Sequence, residues 1–211
     1  MFRVLIVDDH AVVRRGLREI LADERGIEVS ETADAHEALR LIREQTWSLV
    51  VLDIDLPGRG GLELLKDARR ERPRLPVLIL SVYPEEQFAL RTLRAGASGY
   101  LSKDSAPDDL VRAVRKILRG GKYFGGRVVE QLLRNPNERA ATAYPHELLS
   151  DRELQILRLF GRGRTVKEIA GELSLSRPTV STYRARILEK MQMRTTAELV
   201  RYAVQNRLAN Q

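Results

Sequence analysis

Four separated places in this 211-residue chain carry side chains that could share one phosphoryl-accepting site: Asp8-Asp9, Asp53, Ser81 and Lys103. Each stands just past a short apolar run. A carboxylate can attack a phosphoryl donor, an ammonium can neutralise the equatorial oxygens, and a hydroxyl can hydrogen-bond the product. Carboxylates packed together repel, so Asp8, Asp9 and Asp53 would either shift their pKa values or hold a divalent cation. A small, hard ion such as Mg2+ suits a few carboxylates, phosphate oxygens and water.

The elements that must position them alternate in five rounds. Strand-like runs at 3–7, 27–32, 48–52, 76–80 and 98–101 are separated by amphipathic stretches near 11–23, 35–45, 61–71, 85–95 and 106–119. The first, third and fourth runs are nearly all apolar, as strands covered on both faces are. Leu62, Leu65 and Ala68 share one helical face, as do Leu110, Val114, Ile117 and Leu118. Such alternation implies a parallel sheet with right-handed crossovers, whose ligands sit beyond the carboxyl ends of the strands. All four chemical items then gather at one edge. Ser105 is the expected N-cap of the fifth helix, with Asp108 in its first turn.

The expected fold is therefore α/β, a doubly wound five-stranded parallel sheet over 1–120, followed by a linker over 121–147 and a small all-α four-helix domain over 148–211. At this junction, Gly120-Gly121 and Gly125-Gly126 should end the last helix of the α/β region, and Asn135-Pro136-Asn137 should break a short candidate helix at 127–134. In the third region, Ser150/Glu153, Thr165/Glu168 and Thr195/Glu198 each read as a capping box. A fourth helix starts after Ser176, with Pro178 in its first turn. Gly161 is expected to end a helix; Gly161-Arg-Gly163-Arg lacks the Gly-Lys-Ser/Thr ending of a nucleotide loop.

Stretches 165–171 and 177–190 have the lengths of a helix-turn-helix. Val166, Ile169, Ala170 and Leu173 form the inner face of the first helix, and Val180, Ile187 and Met191 that of the second. Arg177, Ser181, Arg184, Ala185 and Leu188 then point outward, flanked by Thr182. Such a helix enters a major groove about 12 Å wide. Charge placement agrees: residues 150–211 hold twelve of the 36 Lys+Arg and six of the 29 Asp+Glu, so nearly all of the net +7 lies there. Phosphate contacts by such residues supply most non-specific affinity for a polyanion.

Composition narrows the classes further. The chain is 43% hydrophobic and has no cysteine, which excludes a disulfide framework, a thiolate zinc site and a thiol nucleophile. No apolar run approaches about 18 residues, and the opening run breaks at Asp8-Asp9. A soluble, cytoplasmic protein with no membrane partner is expected.

Residues 1 to about 120 resemble the receiver domain of two-component response regulators. The resemblance rests on Val7-Asp8-Asp9-His10, Leu52-Asp53-Ile54-Asp55-Leu56-Pro57-Gly58, Ser81 and Gly99-Tyr100-Leu101-Ser102-Lys103. It implies a flavodoxin-like fold with Asp53 as phosphoacceptor and a non-enzymatic role beyond self-phosphorylation and self-dephosphorylation. It also implies Mg2+ held by Asp8, Asp9, Asp53 and the backbone carbonyl of Asp55. Ser81 and Lys103 would grip the phosphoryl group, and Tyr100 would change rotamer as Ser81 moves inward. Asp104 stands where many receivers have proline, as is common in the NarL/FixJ branch.

Residues 148–208 resemble the LuxR-type helix-turn-helix domain through Leu149-Ser150-Asp151-Arg152-Glu153, Lys167-Glu168-Ile169-Ala170, Leu173, Ser176, Thr179-Val180 and Ile187-Leu188-Glu189-Lys190-Met191. Carried over by position, Ser181, Thr182 and Ala185 read bases, while Lys167, Thr179, Tyr183 and Lys190 meet phosphates. Tyr183 departs from a frequent histidine, and Ser181 and Ala185 are small, which shifts base readout toward Arg184 and Arg186. The whole chain thus resembles a NarL/FixJ-type response regulator. The partners this implies are a sensor histidine kinase, double-stranded promoter DNA and a second copy of the chain, with RNA polymerase a further candidate. Asp53-Ile54-Asp55 also resembles the Asp-x-Asp of haloacid-dehalogenase-type phosphatases, but Pro57 stands where that family has Thr or Val.

Overall fold

The computed structural model describes residues 1–58, 60–126, 128 and 144–209, in two compact units, 1–134 and 135–211. Apart from Val128, the candidate helix at 127–134 lies outside the described residues, as does most of the expected linker.

Unit 1 alternates β1 (Phe2–Val7), α1 (Ala11–Ala22), β2 (Ile27–Thr32), α2 (Ala35–Glu44), β3 (Leu49–Asp53), α3 (Gly61–Glu71), β4 (Val77–Ser81), α4 (Glu85–Arg94), β5 (Gly99–Ser102) and α5 (Ala106–Leu118). The strands form one parallel sheet in the order β2-β1-β3-β4-β5. Strand order reverses around β1, whose chain leaves to β2 on one side while β3 lies on the other; the carboxyl ends of β1 and β3 therefore flank the ligand crevice of such sheets. Every residue of β3 and β4 is buried, which explains their unbroken apolar runs. One face packs Val4, Ile6, Val51, Leu78, Leu80 and Leu101 against Leu17 and Leu21 of α1 and Leu110, Val114 and Ile117 of α5.

Three strands run one residue further than the apolar pattern indicated. Asp53 pairs with Leu80 and Ser81 with Ser102, so both polar residues are the last of their strands. Ladder hydrogen bonds belong to the backbone and continue past a change in side-chain polarity. Ser105 occupies the N-cap position of α5 but does not cap it. Its backbone is already helical, and its hydroxyl donates to the Ser102 carbonyl at 3.1 Å. Asp108 lies in the first turn as expected.

Unit 2 has a 3-10 turn (Pro145–Leu148) and four α-helices among the described residues: α6 (Asp151–Gly161), α7 (Val166–Glu172), α8 (Arg177–Lys190) and α9 (Thr196–Gln205). Ser150/Glu153 and Thr165/Glu168 are complete capping boxes. The third is incomplete: Thr195 accepts from the Glu198 amide, but the Glu198 carboxylate accepts from the Arg194 amide at 2.8 Å. Ser176 caps α8 with Pro178 in the first turn. Gly161 is the last helical residue of α6, and Gly163, at φ 77°, turns the chain. Gly161 has another use, since a Cβ there would lie 2.7 Å from Ala203 Cβ on α9. No helix among the described residues is long and apolar enough to cross a membrane.

Candidate functional site

The carboxyl edge of unit 1 brings the expected residues together. Asp8, directly after β1, and Asp53, ending β3, are both buried, whereas Asp9 is exposed and Asp55 half-buried. Lys103, directly after β5, places Nζ 2.8 Å from Asp8 Oδ2 and 2.8 Å from Asp53 Oδ2. Its amide donates to the Ser81 carbonyl at 2.8 Å, which fixes its base on the neighbouring strand end. The Asp55 amide donates to Asp53 Oδ1 at 3.1 Å, and the His10 amide to Asp8 Oδ1 at 2.8 Å. Gly61, opening α3, lies so near the Asp53 carbonyl and Ile54 Cα that a Cβ would overlap both.

Burial pushes the Asp53 carboxyl up to about 6. Lys103 opposes that rise, and Asp8 and Asp55 add to it. For Lys103, burial works against the charge, but Asp53 and Asp8 outweigh it and hold the ammonium above its usual range. Both partners shift upward because Asp53 is the more deeply buried, and its desolvation exceeds what one lysine returns.

Carboxylate oxygens of Asp8, Asp9 and Asp53 and a ring nitrogen of His10 all lie within 4.8 Å of one another. His10 was not among the sequence candidates; its Nδ1 is 3.2 Å from Asp8 and 2.9 Å from Asp9. The signal was adjacency, a histidine next to an acid pair at a strand end.

Ser81 and Tyr100 are buried one and two strands away from β3. The Tyr83 amide donates to Ser81 Oγ at 3.1 Å, and the Tyr100 hydroxyl donates to the Tyr83 carbonyl at 2.8 Å. The Tyr100 ring thus lies inside in this structure.

In unit 2, Ile169, Ala170, Leu173, Val180, Ile187 and Met191 are buried, and Val166 is half-buried. Lys167, Arg177, Thr182, Ala185, Arg186 and Lys190 are exposed. Ser181, Arg184 and Leu188, expected to face outward, are half-buried, as are Thr179 and Tyr183. The reason is packing: α8 touches α6, α7 and α9, which narrows its free face to one centred on Thr182, Ala185 and Arg186. Three candidates already have partners. Thr179 Oγ1 is 2.7 Å from Ser176 Oγ, Thr182 Oγ1 donates to the Pro178 carbonyl at 3.0 Å, and Lys190 Nζ donates to buried Glu153 at 2.7 Å.

Comparisons with known proteins match both units. A model of the response regulator receiver domain matches residues 4–115, and one of bacterial regulatory proteins of the luxR family matches 147–203. The response regulator UvrY of Escherichia coli K12 is 36% identical over 211 residues, covering all of this chain and 97% of UvrY. The response regulator GacA of Pseudomonas aeruginosa is 36% identical over 98% of this chain and 97% of its own. Among solved structures, RcsB of Salmonella enterica serovar Typhimurium, bound to promoter rprA in the presence of phosphomimetic BeF3-, is 26% identical. It covers 97% of this chain and 99% of that one, with a TM-score of 0.70. With a buried aspartate facing a lysine at one end, a helix-turn-helix at the other and full-length relatives of the same kind, the chain belongs to the DNA-binding two-component response regulators, a receiver and phosphoacceptor rather than an enzyme, joined to a LuxR-type domain.

Proposed function

We propose that Asp53 accepts a phosphoryl group from a sensor histidine kinase and that the modified chain dimerises and binds promoter DNA. The observation that carries this reading is Lys103 Nζ at 2.8 Å from both Asp8 and Asp53, at the carboxyl edge of a parallel sheet. A carboxylate oxygen of Asp53 attacks phosphorus as the bond to the kinase imidazole breaks, and the imidazole nitrogen keeps the electron pair and takes a proton from water. Lys103 turns from the carboxylates to the equatorial oxygens. Ser81 Oγ already accepts a backbone N–H, so its own proton is available to donate to the new phosphate.

The donor set fits a hard divalent cation such as Mg2+: three carboxylates converge, and Asp8 Oδ2 is buried with the Lys103 ammonium beside it but no hydrogen bond of good geometry. Asp8, Asp9, Asp53 and the Asp55 backbone carbonyl would hold it. When bound, such an ion neutralises charge as the phosphoryl group approaches.

Residues 1–120 act as receiver, 121–147 as linker and 148–211 as DNA-binding domain, in the cytoplasm. Thr182, Ala185 and Arg186 are offered to base edges with Ser181 and Arg184 beside them, and Lys167, Thr179 and Tyr183 to phosphates. Lys190, held by Glu153, serves packing instead. Dimerisation places two such helices on two half-sites. Intact mass and oligomeric state, measured with a small phosphodonor with and without Mg2+, test the reading. One Mg2+-dependent adduct with dimer is expected for wild type and none for Asp53→Asn; no adduct under any condition sinks the phosphoacceptor role.

A further inference from the structure

We propose that Glu85, in the first turn of α4, clamps the chain leaving the receiver onto the switch residues, so that the phosphoryl state of Asp53 is passed to segment 122–126. This rests on the phosphoacceptor reading above and names how that site is coupled outward.

Beyond α5 the chain returns to the open edge of β5. Tyr123 forms a parallel bridge with Gly99; the Tyr100 amide donates to the Tyr123 carbonyl at 2.8 Å, and the Tyr123 amide donates to the Ser98 carbonyl at 3.0 Å. Glycine at 99 permits this approach, since a Cβ there would lie 2.9 Å from the Tyr123 carbonyl oxygen. Two residues later the Gly125 amide donates to the Glu85 carboxylate, in a contact so close that a Cβ on Gly125 would overlap it. A charged acceptor makes this the strong kind of hydrogen bond.

Glu85 lies two residues after Tyr83, the residue that touches both switch side chains. The Tyr83 amide is on Ser81 and its carbonyl on the Tyr100 hydroxyl, while its buried ring packs on Phe88 of α4 with centroids 4.7 Å apart. Tyr100 is therefore held at its hydroxyl by the β4–α4 turn and at its amide by Tyr123. Glu85 closes the circuit from that turn to Gly125. A shift of Ser81 toward a phosphate moves the Tyr83 amide, and the displacement is shared with Tyr100, α4 and segment 122–126. Coupling of this kind needs an element with two arrangements that both ends bias, and in the proposed coupling segment 122–126 takes that part, with its Glu85 latch made or released.

The test is hydrogen exchange of segment 122–126 in the full chain, with Mg2+ and acetyl phosphate, beside intact mass to count phosphoryl uptake. In wild type, exchange in this segment changes about fivefold or more on phosphorylation, the low end of typical coupling between sites. Glu85→Ala takes up the phosphoryl group at wild-type yield, but the segment exchanges fast with or without it. Glu85→Gln keeps an acceptor oxygen and restores the wild-type response, which separates latching from a general loss of stability. Wild-type exchange indifferent to phosphorylation, or a Glu85→Ala response equal to wild type, overturns the clamp and leaves the phosphoacceptor intact. A wild type that takes up no phosphoryl group overturns the phosphoacceptor reading and the clamp with it.

Discussion

Replacing Lys190 by glutamine distinguishes a lysine that holds the DNA-binding unit together from one that touches DNA. Glu153 is 3% exposed and accepts from Lys190 at 2.7 Å and from the Ser150 amide at 2.8 Å. Burial works to raise its carboxyl pKa, but Lys190 and Ser150 outweigh burial and hold it below the ordinary 4.5. Removing one partner of a fully buried pair costs about 3–5 kcal/mol, whereas exposed pairs contribute about 0–1 kcal/mol. Lys190 is 41% exposed, so solvent screens its side and the cost falls between these limits, at about 1–2 kcal/mol. In a unit this small, that lowers the unfolding midpoint by roughly 5–15 °C, read by calorimetry of the full chain at pH 7. A carboxyl depressed in the folded state stabilises fully above its unfolded pKa and loses that contribution as pH falls through the folded one. The difference between wild type and Lys190→Gln therefore shrinks below about pH 4. DNA binding gives the opposing readout, since each neutralised phosphate adds about 0.9 to the slope of log affinity against log salt. The slope on a promoter duplex is expected to stay unchanged. A slope lower by about 1 with an unmoved midpoint refutes the packing role and returns Lys190 to the phosphate contacts.

Without divalent cation, Asp53 at about 6 against an ordinary 3.8 means that the folded receiver binds the proton first; this favourable contribution is present below 3.8 and lost as pH rises through about 6. Asp53→Asn removes the loss, so in EDTA at pH 7.5 the receiver midpoint rises by several degrees; an unchanged midpoint in thermal unfolding refutes the burial argument. Lys103→Ala removes the ammonium beside Asp53 and is expected to lower Mg2+-dependent phosphoryl uptake about tenfold or more, counted by intact mass; uptake equal to wild type refutes a role for Lys103 on the phosphoryl oxygens. Gly61→Ala forces the Asp53–Ile54 backbone to move and is expected to slow phosphoryl uptake about tenfold or more, because misplacement of about 1 Å can cost a hundredfold. Gln192→Gly, at a left-handed position after α8, is expected to stabilise unit 2 by about 1 kcal/mol in thermal unfolding, since only glycine adopts that backbone without a Cβ penalty.

That last substitution shows where sequence reading stopped. The β/α alternation was legible because β3 and β4 are buried on both faces, and the capping boxes were legible because their partners are three residues apart. Helix ends in unit 2 were not. The chain turns left-handed at Ser174, Gln192 and Arg207 as it does at Gly163, and each turn carries a bond back five residues, for example from the Met193 amide to the Leu188 carbonyl. Three of the four lack the glycine that would have announced them. The convergence of Asp8, Asp9, Asp53 and Lys103 was readable because each sits at a strand end. The half-burial of Arg184, the Glu153–Lys190 pair and the return of Tyr123 to β5 each depend on which elements lie side by side, and no local spacing encodes that. Ser105 and Glu198 illustrate a milder failure, in which the right residue at the right place finds a competing partner one turn or one residue away.

The pocket's charges set the logic of the receiver. Asp8, Asp9, Asp53 and Asp55 bring four carboxylates to one strand edge, and Lys103, the lysine that reaches the site, lies between two of them. An approaching phosphoryl group therefore meets a region more negative than positive, and Lys103 cannot serve the phosphate while it serves Asp8 and Asp53. On the proposed reading, Asp8 and Asp9 would hold a divalent cation that offsets the carboxylate charge, which would leave the Lys103 ammonium available to the phosphoryl oxygens. Asp53 is a poor carboxylate in the resting chain because burial outweighs the help of Lys103. On the phosphoacceptor reading, positive charge arriving at the site, rather than exposure to water, would make it reactive. If Asp53 is the acceptor, reactivity would require cation and donor to meet at one buried oxygen, and the hydrogen bonds from Ser81 through Tyr83 to Tyr100 offer that event a route outward.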